Sequence, residues 1–123
     1  MEEKTITNYR DLTVWTKAIA LSRSIYEATD SFPKAELFGL TSQARRAAIS
    51  IPSNIAEGNA RGSRQDYRRC LTISRGSLAE LETQLLISAD LGYLPTDRLN
   101  ELLKDLFEVH RMLNALITAL TKK

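Results

Sequence analysis

The sequence predicts an all-α protein, an antiparallel up-down four-helix bundle that forms a single domain over residues 1–123. Three observations lead to this fold class. Apolar residues recur three and four positions apart in four long segments, the connections between these segments are short, and no segment has the alternating pattern of a β-strand. With 43% hydrophobic residues over this length, the chain can bury one core, so one domain is expected.

The first helix is predicted over residues 11–31, after a flexible N-terminus of residues 1–8. Asp11 is its expected N-cap, because a carboxylate accepts hydrogen bonds from the free backbone N–H groups of a first turn. Pro33 ends this helix because its ring forces Phe32 out of the helical conformation.

The second helix is predicted over residues 42–59, with Thr41 or Ser42 as its cap. Apolar and small residues recur along one side of this segment at helical spacing. Gly58 and Gly62 are expected to end the helix and to turn the chain.

Pro52 lies inside the second helix and predicts a kink there. A proline has no N–H to donate to the carbonyl of Ala48, and its ring crowds that carbonyl. The kink either wraps the helix around its neighbours or serves as a functional hinge.

Ser63 is predicted to cap a third helix that continues to about Leu91, where Gly92 ends it. A heptad of core positions runs along this helix: Tyr67, Leu71, Ser74, Leu78, Leu81, Leu85 and Ser88. Gly76 falls in the middle, where glycine costs about 1 kcal/mol relative to alanine. The expected reason for this glycine is the close approach of another helix.

The fourth helix starts after Thr96 and runs almost to the C-terminus. Its clearest feature is a set of leucines that repeat every seven residues: Leu99, Leu106, Leu113 and Leu120. A strict seven-residue repeat selects a left-handed helix crossing of about 20°.

Polar residues form two rows that differ from an ordinary exposed helix face. The row on helix 2 contains Gln43, Arg46, Ser50, Asn54, Glu57 and Arg61, and the row on helix 3 contains Ser77, Glu80 and Gln84. Small, amide-bearing and oppositely charged residues in matching rows favour hydrogen-bonded helix–helix contacts, with Arg46–Glu80 as one pair. These contacts lie either within one chain or between subunits, and the alternative is simple solvent exposure.

Positive charge is concentrated in one part of the chain. Residues 45–75 hold seven arginines and two acids, a net charge of +5, whereas the rest of the chain carries −3. Arginines near a helix N-terminus suit phosphate groups, so the turn between helices 2 and 3 is the candidate contact with RNA or DNA. The candidate residues are Arg45, Arg61, Arg64, Arg68 and Arg69. The alternative is a solvated surface.

Signals for an enzyme are weak, and we expect no catalytic residue, cofactor or metal. His110 is the single histidine and no Glu-x-x-His pair of a di-metal bundle is present. Cys70 is the single cysteine, so no internal disulfide can form. The chain has neither an apolar run of membrane-spanning length nor a signal-peptide pattern, and we expect a cytoplasmic location without membrane contact.

Three segments carry a family resemblance: "YRDLTVWTKA", "FPKAELFGLTSQARRAAISIPSNIAEG" and "RGSLAELETQLLISADLGYL". They resemble the four-helix-bundle family whose founding members are encoded within intervening sequences of bacterial 23S ribosomal RNA genes. The resemblance covers nearly the whole chain, from Tyr9 to Leu120. It implies a kinked antiparallel bundle assembled as a ring-shaped homopentamer. It also implies a fold relationship to the accessory proteins of diversity-generating retroelements, which are basic pentameric barrels that bind nucleic acid.

The family signature, carried over onto this chain, falls on residues that already differ from plain surface. These residues are Ser50, Asn54, Glu57, Gly58, Gly76, Ser77 and Glu80. The resemblance supplies neither a catalytic residue nor a biochemical role. Our leading hypothesis is therefore a non-enzymatic, self-associating bundle that binds RNA or DNA through arginines. The rival hypothesis is a protein–protein scaffold whose polar rows form subunit contacts.

Overall fold

The computed structural model describes residues 8–122, and within this range the chain forms four long helices and no strand. The helices are α1 (Thr13–Thr29), α2 (Leu40–Arg61), α3 (Arg64–Asp90) and α4 (Thr96–Thr121), with short 3-10 turns at Tyr9–Asp11 and Lys34–Glu36. Each helix packs against the next along the chain, and α1 also packs against α4, which closes the bundle. The predicted four-helix bundle is confirmed.

The core lies between the four helices and is filled by aliphatic side chains. The largest fully buried ones are Leu21, Ile25, Ile51, Ile55, Leu71, Leu78, Leu81, Leu85, Leu102, Leu106, Val109 and Leu113. Each such side chain stabilises the fold by about 1.5–3 kcal/mol relative to an exposed one. No helix within residues 8–122 is long and apolar enough to cross a membrane.

The start of α1 differs from the prediction. Asp11 is not the N-cap, because it belongs to the preceding 3-10 turn, and Leu12 precedes α1 without a side-chain cap. Asn8 caps that turn instead, and its Oδ1 accepts a hydrogen bond of 2.9 Å from the backbone N of Arg10. The rest of the N-terminus predicted to be flexible, residues 1–7, lies outside the described residues.

The start of α2 also differs from the prediction, because neither Thr41 nor Ser42 is its cap. The helix begins at Leu40, and a carboxylate from the preceding turn takes the place of a capping side chain. Glu36 Oε1 accepts a hydrogen bond of 3.2 Å from the backbone N of Leu40. The sequence pattern missed this arrangement because the acceptor lies four residues before the helix.

The two glycines expected to end α2 have different roles. Gly62 follows the helix with φ of 84°, a left-handed conformation that favours glycine. Gly58 remains inside the helix and is buried against α3. A Cβ at this position would lie 2.8 Å from the Cβ of Cys70 and 3.2 Å from the Cα of Tyr67. Gly58 is therefore a glycine of close helix packing.

Gly76 does not have the role that the sequence suggested. It is exposed on α3, and a Cβ built there would meet no atom within 4 Å. No other helix of the described bundle approaches this glycine closely, so its cost in helix propensity has no packing explanation within one chain.

The α2 helix continues through Pro52 without a break. Pro52 leaves the carbonyl of Ala48 without its usual intrahelical donor. The hydroxyl of Ser22 on α1 lies 3.0 Å from that carbonyl oxygen, and also 3.0 Å from the oxygen of Ala18 in its own helix. A side chain of the neighbouring helix therefore satisfies the acceptor that the proline leaves free. The predicted kink stays a prediction.

Candidate functional site

The turn between α2 and α3 gathers arginines at one end of the bundle. The α2 C-terminus and the α3 N-terminus meet there, since only two residues separate the helices. The end of α4 lies beside them, because Arg64 Nη1 donates a hydrogen bond of 2.9 Å to the carbonyl of Lys122. We define the basic pole as five exposed side chains: Arg61, Arg64, Arg68, Arg69 and Lys122.

Two acidic side chains partly neutralise the basic pole. Glu57 accepts hydrogen bonds of 3.0 and 2.7 Å from Nε and Nη2 of Arg61, and this bonding raises the pKa of Arg61. Asp66 Oδ1 lies 4.0 Å from Nε of Arg69. Both pairs join residues of the same helix, so neither draws an arginine into the bundle. The pole keeps a net charge of +3, from five basic and two acidic residues.

Arg45 is not part of this cluster, which corrects the prediction that grouped it with the turn. It lies about 24 Å from Arg61 along α2, since the rise is about 1.5 Å per residue. Its guanidinium carbon lies 4.6 Å from the ring centroid of Tyr26, and its Nε donates a hydrogen bond of 2.9 Å to Thr29 Oγ1. Arg45 therefore joins α1 to α2.

Part of the predicted polar network lies within one chain. The hydroxyls of Ser50 and Ser77 lie 2.8 Å apart and join α2 to α3. Asn54 Nδ2 donates hydrogen bonds of 2.9 Å to the carbonyl and 3.1 Å to the hydroxyl of Ser50. Glu57 instead accepts hydrogen bonds from Arg61 of the basic pole. These contacts give the two rows a structural role in holding α2 and α3 together.

Sequence reasoning missed the buried serine that makes the same kind of contact deeper in the bundle. Ser74 is fully buried, and its hydroxyl donates a hydrogen bond of 2.8 Å to the carbonyl of Ile51. The available signal was a serine at a heptad core position of α3, where a hydroxyl has to find a partner. The heptad pattern placed Ser74 in the core but did not indicate which group its hydroxyl would bond to.

A surface groove between α2 and α3 contains the remaining members of the polar rows. We call it the α2–α3 groove; its volume is about 470 Å³ and its lining residues are Phe38, Ser42, Gln43, Arg46, Ala47, Ser50, Ser77, Glu80 and Gln84. Arg46 and Glu80 both line it, but no ion pair within 4.0 Å joins them, which corrects the predicted pair. Both side chains therefore remain available to another molecule.

Two features of the α2–α3 groove stand out. Gln84 is only 9% exposed, and its Oε1 is enclosed without a hydrogen-bond partner. An enclosed acceptor without a donor costs about 1–3 kcal/mol. At the rim, Phe38 is 92% exposed, which is unusual for a large aromatic side chain in a well-packed bundle.

The residues considered for chemistry do not form a cluster. Cys70 is buried against Gly58, and His110 is half-buried on α4. Across residues 8–122, no group of three histidine, cysteine, aspartate or glutamate side chains is placed to hold a metal ion. Burial raises the pKa of the Tyr67 phenol; the nearby Asn59 opposes this effect but falls short of hydrogen-bond geometry.

The fold and these surfaces define a class of small all-α proteins: a four-helix bundle with a basic pole and a polar groove on its α2–α3 face. The family model described as 23S rRNA-intervening sequence protein matches residues 10–115. The chain belongs to that family, which confirms the resemblance seen in the sequence. The fold relationship to retroelement accessory proteins stays a prediction.

A solved structure shows the same fold. It is a protein with unknown function from the S23 ribosomal protein family of Bacteroides thetaiotaomicron, determined at 1.70 Å resolution. It is 23% identical to this chain with a TM-score of 0.77, and the match covers 85% of this chain and 98% of the other. No curated protein shows significant sequence similarity to the chain.

Proposed function

We propose that this protein is a non-enzymatic, self-associating helical bundle that binds RNA or DNA through the phosphate groups at its basic pole. The observation that carries the proposal is the exposure of Arg61, Arg64, Arg68 and Arg69 at one end of the molecule. A cytoplasmic location belongs to the same proposal and is consistent with the free thiol of Cys70.

The backbone adds to the positive field of the basic pole. The α3 helix begins at Arg64, with Ser63 as its cap: the Ser63 hydroxyl accepts a hydrogen bond of 3.1 Å from the backbone N of Asp66. The first turn of a helix carries a partial positive charge, which attracts anions. Guanidinium groups bind phosphate oxygens through two parallel N–H donors, so exposed arginines around this turn suit a phosphate backbone.

Fluorescence anisotropy with a labelled structured RNA and a labelled DNA duplex tests the proposal. Affinity is measured from roughly 50 to 200 mM salt, since phosphate contacts make log affinity fall linearly with log salt. We expect the Arg61→Ala/Arg64→Ala/Arg68→Ala variant to weaken binding and to reduce the salt slope by up to about 3.

The matched control removes three exposed basic residues elsewhere in the chain: Arg23→Ala/Lys104→Ala/Arg111→Ala. The control has the same net charge as the basic-pole variant. Comparing the two variants therefore separates the loss of a site at the basic pole from a general effect of lower net charge. Equal loss of affinity in both variants would contradict a site at the basic pole. No binding by the wild type at the lowest salt would contradict nucleic-acid binding altogether.

A second candidate function, a protein–protein assembly module, is favoured by the outer face of α3. Ile73, Ile87 and Leu91 are 43%, 46% and 52% exposed, and Gly76 lies open on the same helix. Exposed apolar residues and an open glycine suit a contact with a further helix. The family resemblance implies a ring-shaped homopentamer, in which repeated basic poles would gain avidity for nucleic acid.

Sedimentation velocity tests self-association. We expect a mass several times the 13.8 kDa of one chain, and an Ile73→Glu/Ile87→Glu variant should lower that mass. A wild-type mass near one chain in dilute solution would count against a stable assembly.

A further inference from the structure

We propose that the α2–α3 groove binds an unpaired guanine base of single-stranded RNA or DNA. This inference rests on the proposed nucleic-acid function and adds a base-reading site to the phosphate-binding pole. It draws on three observations on one surface: an aromatic ring at the rim, charged side chains without partners, and an enclosed carboxamide without a donor.

The shape of the groove fits a nucleotide. Its volume of about 470 Å³ lies within the range of about 300–1,000 Å³ that is usual for small-molecule sites. Phe38 forms part of its lining and is 92% exposed. Proteins that bind single strands stack unpaired bases on such aromatic rings.

Glu80 selects the base. Its carboxylate is exposed on the α3 side of the groove and has no ion-pair partner within 4.0 Å among residues 8–122. An ionised carboxylate only accepts hydrogen bonds, through two oxygens. Guanine presents two adjacent N–H donors, N1–H and N2–H, on its Watson–Crick edge. The other bases place an acceptor beside each donor on that edge, so the carboxylate favours guanine.

Arg46 and Gln84 complete the set of polar groups. Arg46 is exposed on the α2 side, where it can donate to the guanine O6 and N7 or to the attached phosphate. The enclosed Oε1 of Gln84 has no donor in the described chain. A base amino group that reaches this oxygen supplies the missing donor.

The groove and the basic pole lie on the same helix, so one strand can reach both. Arg46 and Arg61 are about 22 Å apart along α2, from a rise of about 1.5 Å per residue. The pole then holds phosphates without regard to sequence, and the groove reads one base. This separation makes the two contacts independently testable.

The test measures anisotropy of labelled RNA heptamers with a central guanine, adenine or uracil between uracils. We expect the guanine heptamer to bind the wild type about tenfold more tightly than the other two, in line with the discrimination that one bidentate hydrogen-bonded pair provides. Glu80→Gln should remove this preference, and Phe38→Ala should weaken the binding of all three heptamers. Neither variant should change the salt dependence. The control Phe107→Ala removes a phenylalanine that is 48% exposed on α4 and should change nothing.

The outcomes separate this inference from the proposed function. Equal affinity for all three heptamers, with binding still lost in the basic-pole variant, overturns the guanine site and leaves the proposed function standing. Failure of the wild type to bind any heptamer or duplex contradicts the proposed function itself. A Phe38→Ala variant that keeps the wild-type affinity for the heptamers but has a lower mass in sedimentation overturns the inference in favour of a subunit contact.

A competition arm distinguishes a free nucleotide from a base within a strand. GMP that displaces the guanine heptamer better than AMP supports guanine recognition by the groove. If GMP matches the heptamer in affinity, the groove's ligand is a free nucleotide and the strand-bound inference is overturned.

Discussion

Gly58 and Gly76 are both glycines inside helices, but their surroundings are opposite. Gly58 is buried where α2 and α3 come closest, and the space for a Cβ is already taken by Cys70. Gly76 is exposed and has free space around it. Helix packing therefore requires a glycine at position 58, whereas packing within the chain does not explain the glycine at position 76.

We expect opposite changes in stability when each glycine is replaced by alanine. Gly58→Ala should lower the free energy of unfolding by about 1–3 kcal/mol because the added methyl group overpacks the α2–α3 contact. Gly76→Ala should raise it by about 1 kcal/mol because alanine is the better helix former and meets no obstacle. Urea denaturation of the two variants checks both values. Destabilisation by Gly76→Ala would show that something outside the described bundle packs against this position.

At the scale of helices, serine hydroxyls support the packing of α2 against both neighbours. Ser22 on α1 lies within hydrogen-bond distance of the Ala48 carbonyl that Pro52 leaves free. Ser74 on α3 donates to the carbonyl of Ile51. The first contact supplies a donor to a backbone carbonyl that has lost its intrahelical partner, and the second gives the buried hydroxyl of Ser74 an acceptor.

A double-mutant cycle tests the link between Ser22 and Pro52. Ser22→Ala should cost about 1 kcal/mol in the wild type because it leaves the Ala48 carbonyl with no donor. In a Pro52→Ala background the cost should be smaller, since the N–H of residue 52 then donates to that carbonyl. Urea denaturation measures the cycle, and Ser53→Ala, an exposed serine on α2, is the control. Equal costs in both backgrounds would contradict the link.

An ion pair joins α1 to α4, away from the contact between α2 and α3. Lys17 Nζ contacts Glu108 Oε1, and the hydrogen bond from Lys17 holds the pKa of the Glu108 carboxyl below its usual range. A carboxyl group whose pKa is lower in the folded than in the unfolded state stabilises the fold at pH values above its unfolded-state pKa. This contribution is lost as the pH falls through the folded-state pKa.

We expect the Glu108 carboxyl to titrate at a lower pH than an ordinary glutamate in an NMR titration. Lys17→Met should move the Glu108 pKa back up, because the largest cause of the shift is removed. A Glu108 pKa that stays low in the variant would assign the shift to the other nearby cations, Arg111 and Lys104.

The whole molecule has a charge asymmetry along the bundle axis. The basic pole, with its two acids, has a net charge of +3, whereas residues 27–36 and 90–101 at the other end hold six acidic and two basic residues. An overall charge of only +2 therefore hides two oppositely charged ends. Such a field directs a polyanion to one end of the molecule.

The bundle should also unfold as one unit, in keeping with the predicted single domain. All four helices contribute to one core cluster, so no helix can leave without exposing apolar surface of the others. We expect one denaturation curve from helix content by circular dichroism and from the fluorescence of Trp15, which packs against that core. Curves with different midpoints would show a part of the chain that unfolds separately.

The heptad on α4 and the core positions of α3 could be predicted because helical periodicity depends only on local spacing. Leu106 and Leu113 are buried as the repeat requires. The starts of α1 and α2 could not be predicted in the same way. Asn8 caps the 3-10 turn before α1, which itself has no side-chain cap, and Glu36 binds the start of α2 from the turn before that helix. Several capping residues compete near each start.

The sequence alone determined the number of helices, their order, the core and the concentration of arginines near one turn, because all of these depend on spacing along the chain. The tertiary structure decided which residues meet. It placed Arg45 against Tyr26, left Arg46 and Glu80 unpaired in a groove, and gave Gly58 rather than Gly76 the close helix contact. Contacts across helices depend on the rotation and offset of one helix against another, and a pattern within a single helix does not contain that information.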